Sequence, residues 1–163
     1  RGLSSLQDLK GKSFAAVSPK AFGGFQLAQL AFQEAEVDVY TELDIKWLGF
    51  PHADIVRAVM SGSADAGIVR AGVLEKLADA GELQLDEVEV LASRSHEHFP
   101  YLHSTKLYPE WPFARLPHVD SELARQVTML LLAMPADHSA ALAAQGAGCT
   151  IPLDYTSVHN VFR

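Results

Sequence analysis

Four residues in three short segments of this sequence have the chemistry to bind an anion. His52 and Arg70 each follow a short apolar run that has the composition of a strand. An arginine guanidinium can pair bidentately with a carboxylate or a sulfonate, and a histidine can donate a hydrogen bond from either ring nitrogen. Gly23 and Gly24 stand where a helix begins, and free N–H groups there bind anions that glycine allows to approach the backbone. We expect Phe22, beside the glycines, to form an apolar wall of the same site.

A purely structural explanation remains open for each of these residues. A histidine in the first turn of a helix can bond to nearby backbone, and a pair of glycines can form a flexible turn. Arg70 would be costly to bury without a partner, and that partner could be Asp54 or Asp65 rather than a ligand. We expect Asp65 mainly to shape the turn before its strand. The aromatic residues Trp47 and Phe50 either line the site or belong to the core.

The elements that must position these side chains alternate between strands and helices. Apolar runs predict strands at residues 13–17, 44–48, 66–69 and 88–91. Helical periodicity predicts helices at residues 25–35, 51–61 and 72–80. The order β-α-β-α-β-α-β predicts an α/β fold with a parallel or mixed sheet flanked by helices. Ligands of such sheets bind outside the carboxyl ends of the strands, and His52 and Arg70 fall at two of those ends.

The helix faces that should meet the sheet follow from the apolar spacing. In each of the first two predicted helices, the apolar residues recur at intervals of three and four residues, as one face of a helix requires. In the first helix the inward residues are predicted to be Leu27, Leu30 and Ala31. In the second helix they are predicted to be Ile55, Val56, Val59 and Met60.

Residues 93–118 have a different composition, with several histidines, prolines and aromatic residues and no long periodicity. We interpret this segment as a long functional loop or as a crossing between lobes. His96, His98 and His103, with Glu97, raise the question of a zinc site, because alternate residues of a strand point the same way. A hinge with exposed histidines explains them as well, and we expect no metal and no cofactor. Further helices are predicted at residues 120–134, 137–145 and 155–162.

Composition limits the classes of protein to which the chain can belong. The 163 residues are 48% hydrophobic, enough for a domain with a real core, and the net charge of −7 argues against a nucleic-acid surface. No apolar run reaches the about 20 residues that span a bilayer, and no signal peptide is visible. The sequence begins at Arg1 without a methionine, and we expect it to be a piece of a longer protein. The single cysteine, Cys149, excludes an internal disulfide and is expected to be a small buried apolar residue.

Several long segments together resemble one known family. DLKGK followed by a strand, then GFPHADIVRAVMSGSADAGIVRAG, and later LYPEWPF and PLDYTSVH are similar to segments of phosphonate-type periplasmic substrate-binding proteins. The similarity is greater to the variant that forms the extracytoplasmic sensor region of bacterial two-component sensor histidine kinases. The resemblance covers nearly the whole chain, and a combination of several long segments is specific.

The resemblance implies a type II periplasmic-binding-protein fold, in which two α/β lobes enclose the ligand. Residues 1–92 then correspond to lobe two with half of the ligand cleft, residues 93–118 to a hinge or crossing segment, and residues 119–163 to C-terminal helices of the return segment. The first lobe of the same protein would precede Arg1. Without that lobe, exposed apolar faces could be covered by formation of a homodimer.

The function implied by the resemblance is binding of a small anionic solute between the lobes, with lobe closure as the signal to a histidine kinase. His52 matches a ligand-contacting histidine of the phosphonate binders. Their Ser/Thr-rich segment is replaced here by Ala21-Phe22-Gly23-Gly24, which favours an anion other than phosphonate. The resemblance also implies a periplasmic location, with membrane attachment only through the parent protein and with no nucleic-acid partner.

Two other functions share these features. A solute receptor of a phosphonate- or phosphate-type ABC importer has the same fold, and the sequence after Arg163 would separate it from a sensor. A non-binding dimerisation or scaffold domain stays an open alternative because the Ser/Thr donors are missing near Phe22. An enzyme is disfavoured, because no GxSxG, Walker or HExxH motif is present, and any kinase activity would belong to another part of the parent protein.

Overall fold

The chain forms two compact units, with the division between Leu107 and Tyr108. The first unit holds the α/β fold and all of the candidate ligand-binding residues, and the second unit is helical. The computed structural model describes residues 2–97, 99–109, 112–144 and 148–162. His98, one of the candidate zinc ligands, lies outside the described residues.

A three-stranded parallel sheet forms the centre of the first unit. Its strands, in the order β2-β1-β3, are β1 (Ser13–Ala16), β2 (Asp44–Trp47) and β3 (Ala66–Gly67). The register places Ala16 beside Trp47 and Ala15 beside Gly67, so the carboxyl ends of all three strands lie at the same edge. The parallel α/β architecture expected from the sequence is confirmed.

A helix follows each strand of this sheet. After β1 the chain enters a π-helical turn, Phe22–Gln26, which continues as α1 (Leu27–Glu34). The remaining helices of the unit are α2 (Val39–Glu42), α3 (His52–Met60) and α4 (Val73–Asp79), with 3-10 turns at Gln7–Leu9 and Leu85–Glu87. The sequence pattern does not predict α2, a single turn that Asp38 caps by accepting a hydrogen bond from Tyr40 N at 2.9 Å.

β1 lies at the centre of the core because it is covered on both faces. On one face Phe14 packs with Phe25 and Phe32, and the rings of Phe14 and Phe32 meet edge-on with centroids 5.2 Å apart. On the other face Ala15 packs with Ile55 of α3. Burial on both faces explains why this strand is a continuous apolar run instead of an alternating one.

The inward face predicted for α1 is wrong. The buried side chains are Ala28 and Phe32, whereas Leu27, Leu30 and Ala31 are half-buried. The π-helical turn before α1 has a wider hydrogen-bond spacing than an α-helical turn. The face presented to the sheet is therefore rotated from the one that regular α-helical spacing predicts.

α3 presents its predicted face over most of its length. Ile55 and Val56 are buried and Val59 is half-buried. Met60, contrary to prediction, is 39% exposed. It is the last residue of α3, and the chain turns away immediately afterwards at Gly62, where φ is +79°.

The fourth predicted strand, at residues 88–91, is not formed. Val88 packs on a buried cluster that includes side chains of α3 and α4, and Leu91 packs on the cluster around β1. The apolar side chains are thus half-buried without pairing of the backbone, a difference that alternation in the sequence does not reveal. The next segment forms an antiparallel hairpin of β4 (Arg94–His96) and β5 (Phe99–His103).

Asp65 holds the amino ends of β1 and β3 together. Its Oδ2 atom accepts hydrogen bonds from Ser13 N at 2.9 Å and from Ser13 Oγ at 2.7 Å. The backbone N–H of Asp65 donates to Ser13 Oγ at 3.0 Å. These bonds agree with the turn-shaping role expected for Asp65.

We expect Asp65→Ala to destabilise the first unit by about 2 kcal/mol, because it leaves the Ser13 N–H and hydroxyl groups without their acceptor. Urea denaturation followed by circular dichroism measures this loss. Asp79→Ala, which removes an exposed carboxylate on α4, is the matched control and should change stability by less than about 0.5 kcal/mol. Equal effects of the two substitutions would contradict the role of Asp65.

The second unit consists of α5 (Ser121–Leu132), α6 (Ser139–Ala143) and α7 (Thr156–Val161), which confirms the three predicted helices. Asp120 caps α5 by accepting a hydrogen bond from Leu123 N at 2.9 Å. Cys149, between α6 and α7, is exposed, so the prediction of a buried thiol is wrong. Within the described ranges, every helix is too short or too polar to cross a membrane.

Candidate anion-binding site

Three loops leave the sheet at the carboxyl ends of its strands. Backbone hydrogen bonds tie them to β1 and to one another: Gly49 N donates to Val17 O at 3.1 Å, and Ile68 N donates to Ala15 O at 3.0 Å. All of the candidate ligand-binding residues lie on these loops or at their ends. We call the three loops the carboxyl edge, which comprises residues 17–24, 48–52 and 68–72.

His52 is the first residue of α3, and its imidazole is half-buried. The Nδ1 atom is buried and has no hydrogen-bond partner among the residues that the structure describes. Phe50 contacts the ring edge-on, with centroids 5.3 Å apart and an interplanar angle of 83°. A buried polar atom without a partner costs free energy, and a ligand atom would supply that partner.

The electrostatics of the carboxyl edge oppose protonation of His52. Burial first, and then the positive charge of Arg70, lower the pKa of the His52 imidazole below its ordinary value. The positive charge of Arg70 acts on His52 because both residues lie at the carboxyl edge. The fold therefore brings together two residues that are far apart in the sequence.

Arg70 lies in the loop after β3 and is half-buried. β3 ends earlier than predicted, so Arg70 stands on a loop instead of directly at a strand end. The carboxylates considered as its partners have other contacts: Asp54 binds Arg57 at 2.8 Å, and Asp65 binds Ser13. A guanidinium carries several donors, so contacts within the protein leave capacity for a ligand.

The two glycines of the site differ in the space around their backbone. Gly24 is buried, and a Cβ there would lie 2.9 Å from Val17 Cγ2, so packing alone requires glycine at this position. A Cβ at Gly23 would meet nothing within 4 Å, so the backbone of Gly23 is open to approach. The helix makes its first hydrogen bond from Gln26 N to Ala21 O at 3.1 Å, and the N–H groups before it are not used within the helix. Gly23 is therefore the stronger candidate for backbone contact with an anion.

Aromatic residues border the same edge. Trp47 is 41% exposed and packs edge-on against the buried Phe25, with centroids 4.7 Å apart, so it belongs in part to the core. Phe50 is 73% exposed and is free of that constraint. Phe22 is half-buried at the start of the π-helical turn. Phe22 and Phe50 are accordingly the better candidates for the wall of a binding site.

Two polar residues of the carboxyl edge, Ser18 and Lys20, are not among the site residues predicted from the sequence. They belong to a turn in which Ala21 N donates to Ser18 O at 3.1 Å. Ser18 is half-buried and Lys20 is exposed. A hydroxyl donor and a cation directly after a strand are the signal that could have identified them. Lys20 adds positive charge to the edge on which Arg70 lies.

Two other groups of polar residues, the histidines of β4 and β5 and an acidic groove, are less suited to binding an anion. His103 Nδ1 contacts the carbonyl of Tyr101 at 3.0 Å, and the described part of the chain holds no group of three or more His, Cys, Asp or Glu residues placed for a metal ion. An open groove of about 620 Å³ is lined in part by Glu75, Asp86 and Glu89, whose charges would repel an anion. The carboxyl edge is therefore the better candidate site.

Comparison with known proteins agrees with the α/β fold. A family model described as ABC transporter, phosphonate, periplasmic substrate-binding protein matches residues 1–157. The tetrathionate sensor histidine kinase TtrS of Salmonella typhimurium is 34% identical to this chain over 135 residues. That alignment covers 83% of the chain but 23% of the kinase, so the chain spans less than a quarter of the length of this relative. The two matches confirm the resemblance drawn from the sequence segments.

Proposed function

This chain belongs to the family of phosphonate periplasmic substrate-binding proteins of ABC transporters, and we propose that it is a binding domain that senses a small anion. The observation that carries the proposal is that Arg70 and a half-buried His52, whose buried Nδ1 atom has no partner among the described residues, both lie at the carboxyl edge. Open α/β sheets bind their ligands at this edge. A guanidinium, an imidazole donor and unused helical N–H groups together suit an oxyanion.

The ligand class that we propose is a sulfur oxyanion. The similar kinase is named as a sensor of tetrathionate, an anion with two sulfonate ends joined by an apolar sulfur bridge. Arg70 can hold a sulfonate end bidentately, and the open backbone of Gly23 can donate to its oxygens. Phe22 and Phe50 offer apolar surface to the sulfur bridge. The absence of a Ser/Thr-rich segment beside Phe22 supports this class over phosphonate.

In this proposal the sheet supplies half of a ligand cleft. Residues 1–92 act as lobe two of a type II binding protein, a first lobe of the same protein closes over the anion, and residues 119–163 form the returning helices. Closure is the signal, because a ligand shifts such an equilibrium by its higher affinity for the closed form. The domain would lie in the periplasm and be non-catalytic, and it would pass the signal to a histidine kinase module of its parent, alone or as a homodimer.

A solute receptor of an ABC importer is the second candidate function, and the description of the matching family favours it. Such a receptor would use the same carboxyl edge but would deliver its ligand to a transporter. A transmembrane helix and a kinase module encoded in the same gene would support the sensor. A secreted or lipid-anchored gene product without a kinase module would support the receptor.

A thermal-shift screen of the full-length gene product tests the proposal. The panel contains tetrathionate, thiosulfate, sulfate, phosphate, methylphosphonate and small carboxylates and sulfonates. A ligand at about 100 times its Kd adds about 2.7 kcal/mol of stability, which is readily measured as a rise in Tm. Stabilisation by sulfur oxyanions would support the proposed ligand class, and stabilisation by phosphonates alone would favour the importer receptor. No response to any compound would contradict anion binding.

We expect His52→Ala to weaken anion binding about tenfold, since it removes a hydrogen bond that contributes about 1.4 kcal/mol. Isothermal titration calorimetry with the stabilising anion of the panel measures the change. His118→Ala, at an exposed histidine, is the matched control and should leave the affinity unchanged. An affinity of His52→Ala within about twofold of the unsubstituted protein would exclude contact between His52 and the anion.

A further inference from the structure

Three features of the carboxyl edge oppose a positive charge on His52. The imidazole is half-buried, and the positive charge of Arg70 acts on it. His52 is also the first residue of α3, and a helix N-terminus carries partial positive charge. In the free protein these features disfavour protonation, while the buried Nδ1 atom finds no partner among the described residues.

Among the charged groups around α3, Arg70 is the one whose positive charge opposes protonation of His52. α3 packs against β1, β3 and α4, and the two strands carry no charged side chain. On α3 itself, Asp54 and Arg57 bind each other at 2.8 Å. Arg70 is the charged group that lowers the pKa of His52. Arg57 also binds Glu82, in the loop after α4, at 2.6 Å. The other charged residues of α4 and of the adjoining loops are Lys20, Asp65, Glu75, Lys76 and Asp79.

A bound anion would instead favour a positive charge on His52. Its negative charge offsets the repulsion between Arg70 and a protonated imidazole, and an oxygen beside the buried Nδ1 atom accepts a charge-assisted hydrogen bond. We infer that anion binding at the carboxyl edge is coupled to uptake of a proton by His52, so that the domain responds to the anion and to acidity together. This inference rests on the proposed function, because it requires an anion at that edge.

The direction of the pH dependence follows from linkage. The anion-bound protein keeps the His52 proton up to a higher pH than the free protein does, so binding takes up a proton between the two pKa values. Affinity therefore increases as the pH falls through this interval, and it is constant above the pKa of the bound form. A rise of about one unit in the pKa of His52 on binding corresponds to an about tenfold gain in affinity.

Calorimetric titration of the full-length gene product with tetrathionate tests the coupling. Tetrathionate is the anion of a strong acid and does not itself titrate between about pH 8 and about pH 5, the range in which histidines ordinarily change their charge. Titrations in two buffers of different ionisation enthalpy count the protons taken up. We expect binding to tighten as the pH falls, by up to about tenfold for a rise of one unit in the pKa of His52, with uptake of up to one proton. Binding that is independent of pH, without proton uptake, would overturn the inference and leave the proposed function intact.

Substitution of His52 tests whether this residue is the one that takes up the proton. H52Q keeps a hydrogen-bonding side chain that cannot titrate, so its affinity should lose the pH dependence, whereas H118Q, at an exposed histidine, should retain it. An H52Q protein with the unsubstituted pH dependence would overturn the assignment to His52. An NMR titration of the His52 ring, with and without tetrathionate, measures the same pKa change without any substitution. Absence of tetrathionate binding at every pH would overturn the proposed ligand together with this inference.

Discussion

Replacing Arg70 by alanine will raise the Kd for the bound anion by about 100-fold, equivalent to about 2.7 kcal/mol. Arg70 is half-buried at the carboxyl edge, and its guanidinium is the group there that can hold an oxyanion through two parallel hydrogen bonds. The substitution removes both bonds and the positive charge that attracts the anion. Isothermal titration calorimetry with tetrathionate measures the loss directly.

Two further variants separate the role of Arg70 from general effects of charge. Arg70→Lys keeps the charge but loses the planar fork, so it should recover only part of the affinity. Arg125→Ala removes an exposed arginine that binds Glu122 at 2.6 Å on α5, and it should bind the anion as the unsubstituted protein does. Equal affinities of the Arg70→Ala and Arg125→Ala proteins would contradict a ligand-binding role for Arg70.

Replacing Phe25 by alanine will destabilise the first unit by about 3–5 kcal/mol, the usual cost of truncating a buried aromatic side chain. Phe25 is fully buried against the core around β1, and its ring meets that of Trp47 edge-on with centroids 4.7 Å apart. Phe25 also follows Gly24 directly, so the same packing holds the glycine turn in place. Anion binding should therefore weaken together with stability.

Phe50→Ala is the matched control for Phe25. The Phe50 side chain is 73% exposed, and its loss should cost less than about 1 kcal/mol of stability because little apolar surface is uncovered. Urea denaturation of both variants gives the comparison. If Phe25→Ala unfolded at the same urea concentration as Phe50→Ala, the assignment of Phe25 to the core would be wrong.

The order of elements in the first unit could be predicted because its apolar runs are short and clearly separated. Gly49 and Pro51 interrupt the chain between β2 and α3, and Gly62 ends α3. A β-α-β order with such interruptions leads to a parallel sheet. The placement of His52 and Arg70 at one edge of that sheet follows from the order alone.

Tertiary packing decided what the sequence could not predict. Residues 88–91 alternate like a strand, yet Val88 and Leu91 are half-buried on separate clusters, and the backbone does not pair. The π-helical turn before α1 changes which side chains of that helix face the sheet. The contact between Gly24 and Val17, and the buried Nδ1 atom of His52, depend on distances between segments that no local pattern specifies.

Mapping of NMR chemical shifts in the isotopically labelled protein, during titration with tetrathionate, tests anion binding at the carboxyl edge most directly. We predict that the largest changes will occur at the backbone amides of Gly23, His52 and Arg70, with smaller changes at Lys20 and Phe50. Saturating changes confined to other parts of the protein, such as the groove beside Glu75, would contradict the site, and so would a spectrum that the anion leaves unchanged.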